Sequence, residues 1–304
     1  MSRIIKIGTR DSQLALWQAK TVQNQLESLG YATQLIPVKS TGDLILDKPL
    51  YELGITGIFT KTLDVAMLNG SVDIAVHSMK DVPTALPIGI VQAAVLERAA
   101  TQDILVYKEA PNFEKKATVA TGSLRRQAQW LHRYPHHKTV DLRGNVNTRL
   151  QKLEDSDWLG AIFAKAGLAR IGVLPETYSV LDWMVPAPAQ GAMMIAALEK
   201  DTYTLAACAQ LNHKETALCT HIERTFLRTL EGGCTAPIGA AATLENGHIH
   251  FTGVLFAVDG QQKIEVHRTI PESQAIGFGT DCALEILDNG GRELMKEIKK
   301  FTQK

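Results

Sequence analysis

The 304-residue chain has only four cysteines, Cys208, Cys219, Cys234 and Cys282, and no C-x-x-C pair. So sparse a set does not make a disulfide framework. A structural zinc site would lack ligands at the required short spacing, and no metal is expected. The N-terminus, MSRIIKIGTR, has neither the long apolar region nor the small-residue cleavage site of a secretory signal. That points to a reducing, cytoplasmic setting. No stretch of eighteen apolar residues occurs, so no membrane span or membrane partner is expected. Lys plus Arg and Asp plus Glu number 32 each, a formal net charge of +0, which leaves no global field to recruit nucleic acid. Aromatics are scarce (6%) and do not interleave with the basic residues, so stacking on bases is not suggested. Low-complexity tracts and repeats of fixed period are missing too. What remains is an ordinary globular composition, 45% hydrophobic, over a length that suggests two or three domains.

The first hundred residues alternate strand and helix. IIKIGT (4–9) reads as a buried strand, and Asp11 or Ser12 can cap the helix after it. Ala15, Ala19, Val22, Leu26 and Leu29 make that helix's apolar stripe, which Gly30 ends. ATQLIPVKS (32–40) is a second strand. Phe59, Leu63 and Ala66 mark a second helix, stopped near Asn69-Gly70, and VDIAVHSM (72–79) is a third strand. A βαβαβ order implies a parallel sheet with helices on its faces, and ligands bind at the carboxyl ends of such strands. Residues 101–186 repeat the idea with TVATGS (118–123), TVDLRGN (139–145) and GAIFAKAGLARIG (160–172). VPAPAQGAMM (185–194), with two prolines in four residues, reads as a crossover returning the chain to the first domain. The last hundred residues predict a small α+β domain. It has an apolar helix stripe at Leu218, Ile222, Phe226 and Leu230, three strands with hairpin turns at Asn246-Gly247 and Asp259-Gly260, and a final helical region over 271–302.

Chemistry gathers at the strand ends. Arg10, Arg125, Arg126, Arg143, Arg149 and Arg170 lie at or just past them, where helix N-termini also favour anions. Any one of these arginines could simply pair with an acid. Six so placed point to a polyanionic ligand held by guanidinium forks. Asp81, in VHSMKDVP, is the lone carboxylate there. It is either a turn former before Val82-Pro83 or a group that holds positive charge in a cleft built for anions, kept ionised by Lys80. HRYPHHK (132–138) lacks helical ligand spacing and reads as a solvated loop. Cys234 follows Gly232 and Gly233, which are expected to stop the preceding helix in positive-φ conformations. A helix C-terminus raises a thiol pKa, so Cys234 does not read as a free thiolate nucleophile. A buried packing residue and a covalent attachment point both remain open.

Five segments in order, IGTRDSQLALWQA, DIAVHSMKDVP, TGSLRRQAQ, LRGNVNTRL and LEGGCTAPIG, resemble the porphobilinogen deaminase (hydroxymethylbilane synthase) family over nearly the whole chain. The resemblance implies an α/β fold of two periplasmic-binding-protein-like lobes with parallel-rich sheets, plus a small α+β C-terminal domain. Its expected boundaries are 1–97 with 190–210, then 98–189, then 211–304. It implies a cytoplasmic, monomeric transferase of tetrapyrrole biosynthesis. The enzyme deaminates four porphobilinogen molecules and joins them head to tail on a dipyrromethane cofactor, thioether-linked to Cys234, releasing hydroxymethylbilane. On the same resemblance Asp81 is the catalytic carboxylate, beside a cationic azafulvene left by loss of ammonia. Arg10, Ser12, Ser78, Lys80, Thr121, Ser123, Arg125, Arg126, Arg143, Gly144, Arg149, Arg170 and Gln190 bind cofactor and substrate. The chain departs from the family at Thr56 (usually lysine), Thr62 (usually glutamate), Ala189 (usually glycine) and Ala196 (usually glutamate). Two other readings bear on the same residues, a bilobal anion-binding protein and a cysteine-dependent acyltransferase. Neither would carry the added mass of a dipyrromethane.

Overall fold

The computed structural model describes residues 3–38, 60–231 and 236–302. These fall into two compact units. The first draws on Met1–Ile45, Ile55–Ala99 and Gly191–Ala217, and the second on Ala100–Gln190 and Leu218–Lys304 among its segments. Lys39, Ser40, Thr56, Phe59, Gly232, Gly233 and Cys234 lie outside the described residues.

In the first unit, β1 (Ile5–Thr9) buries Ile5 and Ile7. The cap of the following helix is Ser12. Its hydroxyl accepts the Ala15 N–H at 3.4 Å and opens α1 (Gln13–Ser28), whose buried stripe is Ala15, Ala19, Val22 and Leu26. Leu29, expected to extend the stripe, is exposed because the helix ends there and Gly30 turns away at φ 88°. β2 (Thr33–Pro37) pairs parallel with one edge of β1 and β3 (Ile74–Ser78) with the other. α2 (Lys61–Leu68) precedes β3 and stops at Asn69, with Gly70 at φ 76°. β4 (Ile90–Val95) closes the sheet, but not against β3. Between them lies β10 (Met193–Leu198), antiparallel to both, giving the order β2-β1-β3-β10-β4. The crossover thus returns the chain to the first sheet as its prolines suggest. Ile195 and Ala197 of β10 join Ile5, Ile7, Val22 and Leu26 in one core, capped by Ala207 and Cys208 of α6 (Thr202–Ala209).

The second unit repeats that strand order. It contains β5 (Asp103–Val106), β6 (Thr118–Ala120), α3 (Leu124–Arg133), β7 (Lys138–Val140), α4 (Val146–Glu154), β8 (Gly160–Ala164), α5 (Lys165–Arg170) and β9 (Tyr178–Val180). The sheet runs β7-β6-β8-β5-β9, three parallel strands and then β5 antiparallel to β8 and β9. HRYPHHK is largely the exposed segment its polarity suggests, but Tyr134 and His137 turn inward. Trp130 and Tyr134 are four apart, so their rings meet at 4.8 Å, and Phe113 stacks on Tyr134 at 5.2 Å. His137 is 4% exposed. Its Nδ1 accepts from Trp130 Nε1 at 3.2 Å and its Nε2 donates to the Phe113 carbonyl at 3.0 Å. An aromatic helix face holds these two side chains, and among the described residues no His, Cys, Asp and Glu group is placed to hold a metal.

The C-terminal part belongs to this second unit. From α7 (Lys214–Thr229), Ile222 and Phe226 are buried, followed by Leu230. The helix ends earlier than the glycines suggest, with Glu231 itself at φ 54°. β11 (Ile238–Glu245), β12 (His248–Phe256) and β13 (Lys263–Pro271) form an antiparallel sheet. Asn246 (φ 51°) and Gly247 (φ 74°) make the two-residue turn that this dipeptide favours. α8 (Phe278–Ile286) and α9 (Arg292–Thr302) add Cys282, Ile286, Leu294 and Ile298 to its core. At the second hairpin, Gly260 (φ 77°) docks on α3. A Cβ there would stand 2.5 Å from the Ala128 carbonyl, and His132 Nδ1 donates to the Gly260 carbonyl at 2.7 Å.

Candidate active site

In the first unit the end of β3 turns through a single 3-10 turn, Met79–Asp81, before Pro83. This puts Asp81 at the strand's carboxyl end. A cavity of about 80 Å³ opens there, lined by Arg10, Ser12, Gln18, His77, Ser78 and Asp81 among others. Gln18 Nε2 donates to Ser78 Oγ at 2.8 Å, fixing the hydroxyl from α1. Lys80 stands beside Asp81 in the same turn, half-buried. Sequence reasoning missed Gln18, and it placed His77 at the strand end without giving it a role. Burial, and secondarily the charge of Arg10, push the His77 imidazole down to about 4. It is therefore neutral near pH 7, and its buried Nε2 has no hydrogen-bond partner among the described residues.

In the second unit Arg125 and Arg126, in the first turn of α3, are 4% and 6% exposed. Both converge on Asp103, a fully buried carboxylate that opens β5. Arg125 Nη2 and Arg126 Nη2 each lie 2.7 Å from its oxygens. Arg126 has every guanidinium nitrogen engaged, with Nε and Nη2 on Asp103 Oδ1 and Nη1 on the Ile162 carbonyl. Arg125 gives Nη1 to the Val185 carbonyl at 2.7 Å, while its buried Nε has no partner among the described residues. Burial pushes the Arg125 guanidinium down, opposed by Asp103. Gln190 joins the cluster, donating to Asp103 Oδ1 at 2.9 Å and to the Thr101 carbonyl at 2.7 Å. Asp103 is the organiser that sequence reasoning missed. Replacing it by Asn would leave two buried guanidiniums without their charge. Asp103→Asn should lose about 3 kcal/mol of stability, read as a lower denaturation midpoint at unchanged m-value.

The other expected residues sit on neighbouring strand-end loops of this unit. Thr121 is buried and its Oγ1 accepts the Ser123 N–H at 3.3 Å, while Ser123 stands at the N-cap of α3. Gly144, at φ 112°, lies where a Cβ would meet Thr148 at 2.8 Å, so the β7–α4 loop requires glycine there. Arg149 Nε donates to the Gly144 carbonyl at 2.8 Å. Arg143 is 5% exposed, and burial pushes its guanidinium down against the pull of Asp141. Arg170 ends α5, also pushed down by burial. At the crossover, Ala189 holds the left-handed conformation at φ 61°, fully buried. Its N–H donates to Glu223 Oε2 at 2.6 Å, and Oε1 of that buried carboxylate accepts the Ala242 N–H at 2.7 Å. Glu223 of α7 thus fixes a conformation that glycine would adopt at no steric cost.

The fold and these sites define a two-lobed α/β protein, with buried guanidiniums at the strand ends of one unit and a carboxylate among hydroxyl and arginine groups at those of the other. Residues 5–206 match the family model described as porphobilinogen deaminase, dipyromethane cofactor binding domain, and residues 217–288 that of the porphobilinogen deaminase C-terminal domain. The chain belongs to the porphobilinogen deaminase family. The porphobilinogen deaminase of Syntrophotalea carbinolica is 41% identical over 304 residues, covering 98% of this chain and 96% of its own. That of Pelobacter propionicus is 40% identical over 302 residues, covering 97% of each. Among solved structures, a methionine-binding protein is similar with a TM-score of 0.45 and 15% identity, over 68% of this chain and 89% of that one.

Proposed function

We propose that this chain condenses four porphobilinogen molecules, with loss of ammonia, on a dipyrromethane primer attached through a thioether to Cys234. It acts as a cytoplasmic monomer organised in three domains, 1–97 with 190–210, 98–189 and 211–304. The product of the family's enzyme is hydroxymethylbilane. The observation that carries the reading is Asp81 on one cavity with Arg10, Ser12 and Ser78. A lone carboxylate amid anion-binding groups suits a reaction in which an anionic substrate turns cationic at its reacting carbon.

The residues fit a carboxylate-bearing primer. Arg125 Nε is a buried donor with no partner among the described residues, and Arg125 is held rigidly by Asp103 and the Val185 carbonyl. When bound, the dipyrromethane supplies the nucleophilic pyrrole carbon on which the chain grows. Arg10, Ser12, Ser78 and Lys80 bind substrate carboxylates in this reading, and Thr121, Ser123, Arg125, Arg143, Gly144, Arg149 and Arg170 bind those already incorporated. Arg126 and Gln190 serve through Asp103, which they hold in place. Asp81 accepts the pyrrole N–H of the substrate as positive charge develops, and it moves protons to the leaving amine and from the attacked α-carbon.

The arginines should divide by stage. Arg125→Gln should yield protein without primer, because the buried charge and the open Nε donor that a primer carboxylate would meet are lost. Arg170→Gln should carry primer and fail at a later addition. Intact masses of the two purified variants, before and after substrate, decide this. Identical mass ladders would refute the division. The function itself is tested by the intact mass of the wild type, which should exceed the sequence by one dipyrromethane. Incubation with porphobilinogen should release four ammonia per tetrapyrrole. An unadorned mass with no ammonia release would leave a binding protein instead.

A further inference from the structure

A second recess, of about 250 Å³, opens within the second unit where the C-terminal sheet meets α3. It shares no charged residue with the strand-end sites, though the Val185 carbonyl beside it accepts from Arg125. Trp183, Val185, Val254 and Phe256 line it with apolar surface, and Arg133, Lys263 and His132 supply its polar groups. Gln129 also borders it, but its amide is closed on the backbone of Val185, donating to the carbonyl at 2.9 Å and accepting the N–H at 2.8 Å. Among the described residues, no carboxylate belongs to the lining.

The cations there are positioned. Arg133 is exposed, with its guanidinium carbon 5.0 Å from the Trp183 ring centroid and 5.8 Å from that of Tyr134. It lies within cation–π range of both rings, and its Nε donates to the Tyr134 hydroxyl at 3.3 Å. It pairs with no carboxylate among the described residues. Lys263 pairs with Glu265, which lies outside the recess. His132 must carry its hydrogen on Nδ1, since the Gly260 carbonyl it meets can only accept, and its ring packs edge-on to Phe256 at 5.2 Å. The result is an apolar slot with aromatic walls, one guanidinium 5.0 Å from an indole centroid, and a second cation at the rim already paired with Glu265.

We propose that this recess is a binding site for a small planar aromatic carboxylate. Its ring would pack against Trp183 and Phe256, and its carboxylate would meet Arg133 and Lys263. The apolar walls exclude a purely aliphatic polyanion as the better ligand, because its methylenes offer less contact against flat rings. Arg133 excludes a neutral arene as the better ligand, because its charge would stay without a carboxylate. The volume holds a single substituted ring and is below that of a drug-sized pocket. The site lies on the last turn of α3, the helix whose first turn carries Arg125 and Arg126.

The test uses the purified full-length protein and phthalate as the probe, titrated by calorimetry with glutarate as the aliphatic control. Phthalate should bind saturably and at least about tenfold more tightly than glutarate. In the double variant Arg133→Gln, Lys263→Gln its affinity should fall at least about tenfold. Both side chains are at the surface, so the variant should keep the wild-type circular dichroism and thermal midpoint. Arg133→Lys should bind more weakly than wild type, since lysine keeps the charge but not the planar stack. Any one of three results overturns the proposal: no saturation up to about 10 mM, phthalate no tighter than glutarate, or equal affinity in the double variant. The last would put phthalate on the strand-end arginines instead.

Discussion

Asp81→Asn should slow the single-turnover rate at saturating porphobilinogen by about 10²–10³-fold, roughly 3–4 kcal/mol of transition-state stabilisation. Asn keeps the size and an acceptor but removes the charge. Asp81→Glu keeps the charge and displaces it by one methylene, so it should retain more activity than Asn and still carry primer. The opposing view makes Asp81 a turn former before Pro83. The backbone there is a 3-10 turn closed by the Val82 N–H on the Met79 carbonyl at 3.2 Å, and Asn suits such a turn better than Glu. The order of the two variants therefore separates the readings. Asn faster than Glu sinks the catalytic role, and Glu faster than Asn cannot arise from turn propensity.

Cys234→Ser should give protein that lacks the thioether-linked primer and has lost essentially all turnover, while Ala at Cys208, Cys219 or Cys282 should leave the primer in place. The other three thiols are buried, each no more than 3% exposed. Burial also pushes Cys208 and Cys282 up to about 12, so neither offers a thiolate near neutral pH. Their replacement removes packing volume and should lower stability modestly rather than alter the mass increment. Intact mass spectrometry of the four single variants settles the attachment site. A dipyrromethane increment surviving in Cys234→Ser would show that another residue carries it.

Local chemistry was legible in the sequence where a residue's own backbone decides its place. Ser12 caps α1, Asn246-Gly247 turns the first hairpin, and the prolines of 185–194 mark the return of β10. The strand-end position of the arginines was also readable, since it follows from the βαβ order. What could not be read is which buried partner each one meets. Asp103 looks like a surface acid at the start of a strand, and only the packing of β5 beside β8 brings it under α3. His77 sits in an apolar strand where most histidines would be satisfied, yet its Nε2 has no partner among the described residues. Glu231 shows the limit of residue preference. It adopts a positive φ directly before two glycines that would do so more easily, because Leu230 is anchored in the core.

The place of β10 in the first sheet has a consequence for synthesis. As the chain leaves the ribosome, β1, β2, β3 and β4 emerge early, but β3 and β4 share no ladder with each other and wait for residues 193–198. The whole segment that supplies β5 to β9 must be made before that gap closes. Until then β3 and β4 each expose a bare edge, the arrangement that invites pairing with another chain. The second sheet has no such delay, since its strands run consecutively from β5 to β9. The N-terminal sheet, though translated first, is therefore the later of the two to be completed, and a nascent chain halted before residue 193 holds it open.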